Sequence, residues 1–178
     1  MKILNTKFEG VFIVENNLFE DNRGNFQKLF QSSIFEDKGI EFNINEHFFS
    51  TSHKGIIRGM HFQNPPFSQS KLVYVLQGEV RDVVLDLRKN SKTYLQYLEF
   101  GLSSRERRAV FIPEGFAHGF QSLYDNTIMV YSQSKEFDSN SDFGINPLSF
   151  GMNWPIKDSV ISDKDKSLIS LENYQSPF

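Results

Sequence analysis

Three side chains of this sequence could together move a proton next to a ketone. His61, Lys71 and Tyr131 each lie in a short run of strand-forming residues. An imidazole titrates near neutral pH and suits a base, an ammonium stabilises the enolate that forms, and a phenol can return a proton. Together they predict removal of a proton from one face of a carbon and its return from the other face, which inverts that carbon.

The elements that must position these side chains read as short β-strands separated by turn residues. Strands are predicted over residues 11–14, 25–30, 42–51, 56–62, 71–76, 79–87, 94–100, 109–112 and 127–133. One short helix is predicted over residues 31–38, and others in the tail after residue 162. Many short strands at roughly ten-residue spacing predict an all-β sandwich or barrel with few helices.

A barrel interior with a few polar groups among apolar ones is typical of a pocket for a small ligand. Strict alternation places Arg58 and His61 on opposite faces of one strand. Both can line one pocket only if Gly59, which lies between them, forms a bulge or bend.

Composition excludes several classes of protein. The 178 residues suit one domain, 1–178, with a sizeable core, and the net charge of −3 argues against nucleic-acid binding. The absence of cysteine excludes disulfides and thiolate metal sites. No apolar run approaches the ~20 residues of a membrane span, and no signal-peptide pattern opens the chain. We therefore expect a cytoplasmic protein that does not bind membranes.

One signature is typical of a particular barrel. Pro113-x-Gly115-x-x-His118 has the pattern of the second cupin motif, and Gly78 stands where the first cupin motif ends. A metal-binding cupin normally offers a His-x-His pair on an early strand. Here that site reads His61-Phe62-Gln63, and two scattered histidines rarely make a metal site. We therefore predict no bound metal.

A longer series of motifs follows in one order along the chain. The series is Asp21-x-Arg23-Gly24-x-Phe26, Arg58-Gly59-Met60-His61-Phe62-Gln63, Lys71-Leu72-Val73, Gly78-Glu79-Val80-x-Asp82-Val83, Asp86-Leu87-Arg88, Ile112-Pro113-x-Gly115-Phe116-Ala117-His118-Gly119-Phe120, Trp154-Pro155 and Ser162-x-Lys164-Asp165. From about residue 10 to residue 166 the chain thereby resembles the dTDP-4-dehydrorhamnose 3,5-epimerase family. The resemblance implies a cupin jelly-roll fold, a strand-exchanged homodimer, a nucleotide-sugar substrate and no cofactor.

The resemblance also implies a role for individual residues. His61 matches the general base, and Asp165 matches the acid that orients it. Tyr131 matches the phenol that returns a proton from the opposite face, and Lys71 matches the cation near the C4 ketone. The remaining positions expected to contact the substrate, its diphosphate or its base are Arg23, Phe26, Ser50, Arg58, His118, Phe137, Asp142 and Lys164.

Three departures from the family pattern concern the substrate. Lys28 stands where the family has a carboxylate, Glu46-His47-Phe48 replaces its Gln-x-Asn, and residues 144–148 lack its Trp-Asn-Asp-Pro. Thymine presents an N3–H donor, whereas cytosine presents an N3 acceptor and an N4 amino donor, so Lys28 and Glu46 suit cytosine. The alternative substrate is therefore a CDP-4-keto-3,6-dideoxyhexose, inverted at C5. A simpler interpretation leaves Lys28 in solvent, paired with Glu46.

Phe48 is an expected contact of its own. A phenyl ring in place of an amide makes the pocket more apolar near the sugar, which suits a substrate that lacks a hydroxyl or restricts the reaction to one carbon. Three other functions remain open from the residues alone: a metal-dependent cupin enzyme, a 3,4-ketoisomerase, and a sugar-nucleotide binding module without catalysis.

Overall fold

Two antiparallel sheets make up most of the fold. The computed structural model describes residues 1–16, 19–106 and 108–178. The strands are β1 (Lys2–Asn5), β2 (Phe12–Glu15), β3 (Phe19–Asp21), β4 (Gly24–Phe26), β5 (Glu46–Ser52), β6 (Ile56–Gln63), β7 (Lys71–Gln77), β8 (Glu79–Asp86), β9 (Tyr97–Ser103), β10 (Arg108–Ile112), β11 (Phe116–Ser122), β12 (Thr127–Gln133), β13 (Asp142–Gly144) and β14 (Val160–Ile161). The helices are α1 (Ser32–Asp37), α2 (Asp163–Lys166) and a 3-10 turn, Leu171–Asn173.

The first sheet has the order β1-β2-β10-β7-β12-β5, and the second has the order β13-β6-β11-β8-β9. The central strands of each sheet are far apart in the sequence, so the chain crosses between the sheets repeatedly. The inner faces pack into one apolar core, with Val73 and Met129 from the first sheet against Val84 and Phe120 from the second. This arrangement confirms the predicted all-β jelly-roll barrel.

Each sheet also has an outer apolar face, because alternate residues of a strand point to opposite sides. On the first sheet, Leu72 and Phe111 pack under Phe35 of α1. On the second sheet, Leu85 packs against Trp154 of the C-terminal segment. The barrel is thus a packed core covered on both sides.

The structure corrects several predicted boundaries. The strand predicted over residues 94–100 is Tyr97–Ser103, because Ser91 and Thr93 donate hydrogen bonds to the carboxylate of Asp86 and hold the preceding residues in turns. The strands predicted over 25–30 and 42–51 are Gly24–Phe26 and Glu46–Ser52. The helix predicted over 31–38 is Ser32–Asp37, and the tail carries α2 and the 3-10 turn.

Strand β11 was not predicted as a strand at all. Its sequence includes Ala117, His118 and Gly119, which have little preference for strands by themselves. All of its residues are buried, and it lies between β6 and β8 in the second sheet. Pairing on both edges and packing on both faces therefore override the local propensity.

The predicted irregularity at Gly59 is present. The pairing of β11 with β6 shifts register between His118 and Phe120, opposite this glycine. Gly59 has a φ of +123°, and a Cβ there would lie 2.5 Å from the Cα of Gly119. Two glycine backbones thus approach closely where a side chain would not fit. The shift turns His61 into the same cavity as Arg58.

A hairpin of β3 and β4 stands apart from both sheets. Its six strand residues are all exposed, and among the described residues the two strands pair only with each other. We call residues 19–26 the arm. Within residues 1–16, 19–106 and 108–178, no helix is long and apolar enough to cross a membrane.

Candidate active site

A cavity of about 460 Å³ opens between the two sheets. Most of the residues predicted to contact a substrate line it: Glu46, Phe48, Ser50, Arg58, His61, Lys71, His118, Tyr131, Phe137, Asp142, Lys164 and Asp165. Apart from Phe137, which lies in the loop between β12 and β13, they come from β5, β7 and β12 on one side and from β6, β11, β13 and α2 on the other. The fold therefore gathers residues that are more than 100 positions apart in the sequence.

His61 and Asp165 form a hydrogen-bonded pair in this cavity. The ring Nε2 of His61 donates to Oδ1 of Asp165 at 2.8 Å, which leaves Nδ1 as the basic nitrogen. The second carboxylate oxygen accepts from the backbone N–H of Gly59 at 3.2 Å. Burial alone would raise the pKa of Asp165, but its hydrogen bond to His61 and the charge of that ring outweigh burial and lower it. An anionic Asp165 therefore fixes the ring and stabilises its protonated form.

The local sequence explains how Asp165 reaches this position. Strand β14 (Val160–Ile161) pairs in parallel with the start of β6 and brings the next residues alongside it. Ser162 then caps α2, because its hydroxyl oxygen accepts from the backbone N–H of Asp165 at 3.1 Å. Asp165 is thereby buried beside β6 although it lies in a helix of one turn.

Lys71 is buried in the same cavity with only 6% of its surface exposed. Its Nζ donates to the backbone carbonyl oxygen of His61 at 3.1 Å. Burial lowers the pKa of Lys71 to about 8, although the nearby carboxylates of Asp142 and Asp82 act in the opposite direction. The ammonium is therefore still mostly protonated at neutral pH, but its pKa lies only slightly above that pH.

Tyr131 lines the cavity from β12, the neighbour of the Lys71 strand in the first sheet. Its hydroxyl lies 3.4 Å from the hydroxyl of Ser50, and its ring stacks on the ring of Phe48. Burial raises the pKa of Tyr131, the Ser50 hydrogen bond opposes that rise, and the charge of Asp82 adds to it. The phenol is therefore protonated at neutral pH and can act as a donor.

A second histidine–carboxylate pair lies deeper. Nε2 of His118 donates to Oδ2 of Asp82 at 2.7 Å, and both side chains are almost fully buried. Asp82 Oδ1 is buried without a hydrogen-bond partner. His118 lines the cavity, and its ring packs edge-on against Tyr131.

Cationic side chains lie nearer the mouth of the cavity. Arg58 donates to the hydroxyl of Ser52 at 3.0 Å and to the backbone carbonyl oxygen of Thr51 at 3.2 Å. Lys164 donates to Asp142 Oδ2 at 2.6 Å. A guanidinium and an ammonium group at the opening of a cavity suit an anionic ligand such as a diphosphate.

Three predicted contacts lie outside this cavity. Arg23 and Phe26 are on the arm and line a separate cleft there. Arg23 forms an ion pair with Asp21 of the same hairpin. Lys28 is exposed and donates to the side chain of Gln31 at 3.3 Å. The simpler interpretation is therefore right that Lys28 is exposed but wrong that it pairs with Glu46.

Several residues of the site were missed from the sequence. Gln63, Gln69, Gln133 and Ser162 also line the cavity. Ser162 and Gln63 lie in quoted motifs, and Gln133 follows Tyr131 at a spacing of two, so alternation could have placed it on the same face. Gln69 lies in an irregular loop and carries no such signal.

The described part of the chain contains no group of three or more His, Asp or Glu side chains placed to hold a metal ion. His61 and His118 each pair with their own carboxylate, which uses one nitrogen of each ring. That the protein works without a metal stays a prediction. Measuring activity in the presence of a chelator would test it.

The arrangement can carry out proton transfer on two faces of one carbon. A base with an orienting carboxylate lies on the second sheet, and a protonated phenol lies on the first sheet across the same cavity. Lys71 reaches across to the base from the first sheet, so a positive charge is available where an enolate oxygen would form.

Comparisons with known proteins agree with this chemistry. A family model described as dTDP-4-dehydrorhamnose 3,5-epimerase matches residues 5–173. The epimerase of that name from Methanothermobacter thermautotrophicus is 39% identical over 93% of this chain and 92% of its own length. A crystal structure of the Legionella pneumophila enzyme with dTDP-4-keto-L-rhamnose has a TM-score of 0.92 and 35% identity, covering 98% of this chain and 94% of that one.

A third relative differs in its stated reaction. The structure of ChmJ, a 3'-monoepimerase from Streptomyces bikiniensis in complex with dTDP-quinovose, has a TM-score of 0.89. It is 27% identical, over 95% of this chain and 87% of that one. Proteins similar to this chain therefore include one named for a single epimerisation. The chain itself belongs to the dTDP-4-dehydrorhamnose 3,5-epimerase family.

Proposed function

We propose that this protein is an isomerase that epimerises a dTDP-linked 4-keto-6-deoxyhexose at C3, C5 or both, without a cofactor. One observation carries the proposal: the His61–Asp165 pair and the phenol of Tyr131 lie on opposing sheets of one cavity. Inversion of a carbon requires a base and an acid on opposite faces of the sugar ring.

The proposed reaction has two proton transfers. His61 Nδ1 removes the proton alpha to the C4 ketone, and the electron pair of the broken C–H bond moves onto the ketone oxygen. The ammonium of Lys71 stabilises that oxyanion in a site with little water. Tyr131 then donates its proton to the other face of the carbon, and the phenolate and imidazolium exchange protons with solvent. No oxidant or reductant is needed.

The rest of the cavity suits a nucleotide sugar. Arg58 and Lys164 provide positive charge for a diphosphate, and Phe137 lines the cavity with 60% of its surface exposed, as a ring that stacks on a base requires. A location in the cytoplasm stays a prediction from the sequence.

The proposal is tested by hydrogen exchange from solvent. The protein is incubated in deuterium oxide with dTDP-4-keto-6-deoxyglucose, and deuterium at C3 and C5 is followed by NMR. We expect exchange at one or both carbons with formation of the inverted sugar. His61→Asn should abolish exchange, and exchange that survives this substitution would show that another group is the base.

We also propose that the working form is a homodimer in which the arm of each subunit completes the cavity of the other. Arg23, with 86% of its side chain exposed, and Phe26, with 61% of its surface exposed, do not line their own subunit's cavity. In the part of the chain that the structure describes, the arm pairs with neither sheet. A cationic and an aromatic side chain on such a hairpin suit the phosphates and base of a nucleotide bound in a second copy.

One buried carboxylate oxygen favours a second substrate. Oε2 of Glu46 is buried without a hydrogen-bond partner, and this residue lines the cavity together with Phe137. A carboxylate oxygen needs a donor, and at the exocyclic position beside N3 cytosine offers its N4 amino group, whereas thymine has the acceptor O4 there and its donor only at N3–H. This supports a CDP-4-keto-3,6-dideoxyhexose as the alternative substrate, inverted at C5.

Calorimetry with dTDP and CDP separates the two substrates. Tighter binding of CDP in the wild type, lost in Glu46→Gln, would support the alternative. If dTDP binds about tenfold more tightly, a difference of about 1.4 kcal/mol, the interpretation of Glu46 as a cytosine contact is wrong.

A further inference from the structure

Phe48 and Tyr131 form the closest aromatic stack in the cavity. The two residues are directly paired across β5 and β12, so their side chains lie on the same face of the first sheet. Their ring centroids are 4.7 Å apart with an interplanar angle of 14°. Phe48 retains 39% of its surface exposed and lines the cavity, so it contacts Tyr131 on one side and the ligand space on the other.

Few polar contacts hold the phenol of Tyr131 in place. The hydroxyl of Ser50 is at 3.4 Å, near the limit of a hydrogen bond, and the phenol has no shorter one among the described residues. The ring of His118 packs edge-on at 6.2 Å. The orientation of the ring therefore depends mainly on aromatic packing, and among the described residues Phe48 supplies its only parallel stack.

We propose that Phe48 is a positioning residue that holds the Tyr131 phenol in the plane from which it protonates the enolate. The inference rests on the proposed epimerase function and adds to it the residue that decides whether abstraction leads to inversion. A proton donor must be placed to within a fraction of an ångström, so loss of the stack should slow this step more than the preceding one.

The enolate has two possible fates, and their ratio reports on Tyr131. When Tyr131 donates, its O–H bond breaks, a C–H bond forms on the far face and the carbon is inverted. When Tyr131 is misplaced, the proton on His61 returns to the original face. In deuterium oxide His61 carries a deuteron after exchange with solvent, so that return labels the sugar without inverting it.

The experiment measures deuterium in the retained sugar against deuterium in the inverted sugar, by NMR, under single-turnover conditions. In Phe48→Leu and Phe48→Met, which fill the space without a ring, we expect this ratio to rise about tenfold or more. Phe48→Tyr keeps the stack and should keep the wild-type ratio. Tyr131→Phe sets the upper limit, because it leaves only the retained fate.

The matched control is Phe49→Leu, on the same strand but on the opposite face of the sheet, where 66% of the residue is exposed. It should leave the ratio unchanged. Equal loss of both products in Phe48→Leu and Phe48→Met, with an unchanged ratio, would overturn the proposal, because Phe48 would then act on binding or folding.

The two failures are distinguishable. A wild type that shows no exchange with either nucleotide sugar contradicts the proposed function itself. A wild type that epimerises while the Phe48 variants keep its ratio contradicts only the role of Phe48. Circular dichroism of each variant confirms that its fold is retained, and Phe48→Met provides a second ring-free variant if Phe48→Leu does not fold.

Discussion

The ammonium of Lys71 lies 3.1 Å from the backbone carbonyl oxygen of His61. Lys71 belongs to the first sheet and His61 to the second, so this hydrogen bond joins the two halves of the barrel within the cavity. It fixes the cation relative to the strand that carries the base. The same contact explains how an ammonium can be buried there, because one of its protons is satisfied by protein.

The first prediction concerns the pH dependence of the rate. Burial lowers the pKa of Lys71 to about 8, and only the protonated form can stabilise an oxyanion. We therefore expect kcat to fall as the pH rises through about 8. Lys71→Arg keeps its charge far above this pH, so the residual activity of that variant should lack this alkaline limb. A wild-type rate that is constant to pH 9.5 would contradict the requirement for the ammonium.

The second prediction concerns stability at the same residue. The pKa of Lys71 falls from 10.5 to about 8 in the fold, so keeping it charged there costs up to about 3 kcal/mol at pH 7. Lys71→Met should therefore raise the free energy of unfolding at pH 7 while abolishing activity. Between about pH 8 and 10.5 the unfolded chain binds more protons than the fold, so the wild type gains stability and this difference should shrink.

Urea denaturation at pH 7 and at pH 10 measures both free energies. A substitution that destabilises the protein at both values would show that the hydrogen bond to His61 outweighs the cost of burying the charge.

The third prediction concerns the carboxylate that orients the base. Asp165→Asn keeps the shape but removes the negative charge that stabilises a protonated His61, so kcat should fall by about 10²–10⁴-fold with a small change in KM. Because the pKa of Asp165 is lowered in the fold, its carboxylate adds stability above about pH 4 that is lost as the pH falls further. The wild type should therefore lose stability below pH 4 more steeply than Asp165→Asn, as measured by thermal unfolding across this range.

The sequence predicted the chemistry better than the boundaries of the fold. His61, Lys71 and Tyr131 stand in runs of strand-forming residues, so the sequence placed all three on strands, and the structure brings Lys71 and Tyr131 on the first sheet opposite His61 on the second. Gly59 could be predicted as a bend because two required residues conflicted with the strict alternation of a strand. In contrast, β11 was missed, since its burial on both faces comes from strands elsewhere in the chain.

The contacts that depend on more than one segment were also beyond the sequence. The pairing of His118 with Asp82 joins residues 36 positions apart on neighbouring strands, and no motif spacing indicates it. The stack of Phe48 on Tyr131 depends on the register of β5 against β12, which a shift of one residue would abolish.

The fourth prediction concerns the buried pair of His118 and Asp82. His118→Leu leaves the carboxylate of Asp82 buried without its donor, which should cost about 3–5 kcal/mol in the free energy of unfolding. The double variant Asp82→Leu with His118→Leu removes both polar groups and should be more stable than His118→Leu alone. Urea denaturation of His118→Leu, Asp82→Leu and the double variant gives the coupling free energy between the two side chains. Additive costs would mean that the two side chains do not support each other.

The fifth prediction tests the arm. If Arg23 of one subunit serves the cavity of the other, Arg23→Ala and His61→Asn subunits damage different parts of each site. A mixed dimer then contains one site with both residues intact, and random mixing should restore activity to about a quarter of the wild-type level. The mixture is made by unfolding and refolding the two variants together and is compared with each variant refolded alone.

His61→Asn mixed with Asp165→Asn is the control: both substitutions lie in the same subunit's cavity, so every site stays damaged and no activity should return. If mixing Arg23→Ala with His61→Asn restores nothing beyond the sum of the separate proteins, the arm does not complete a neighbouring site.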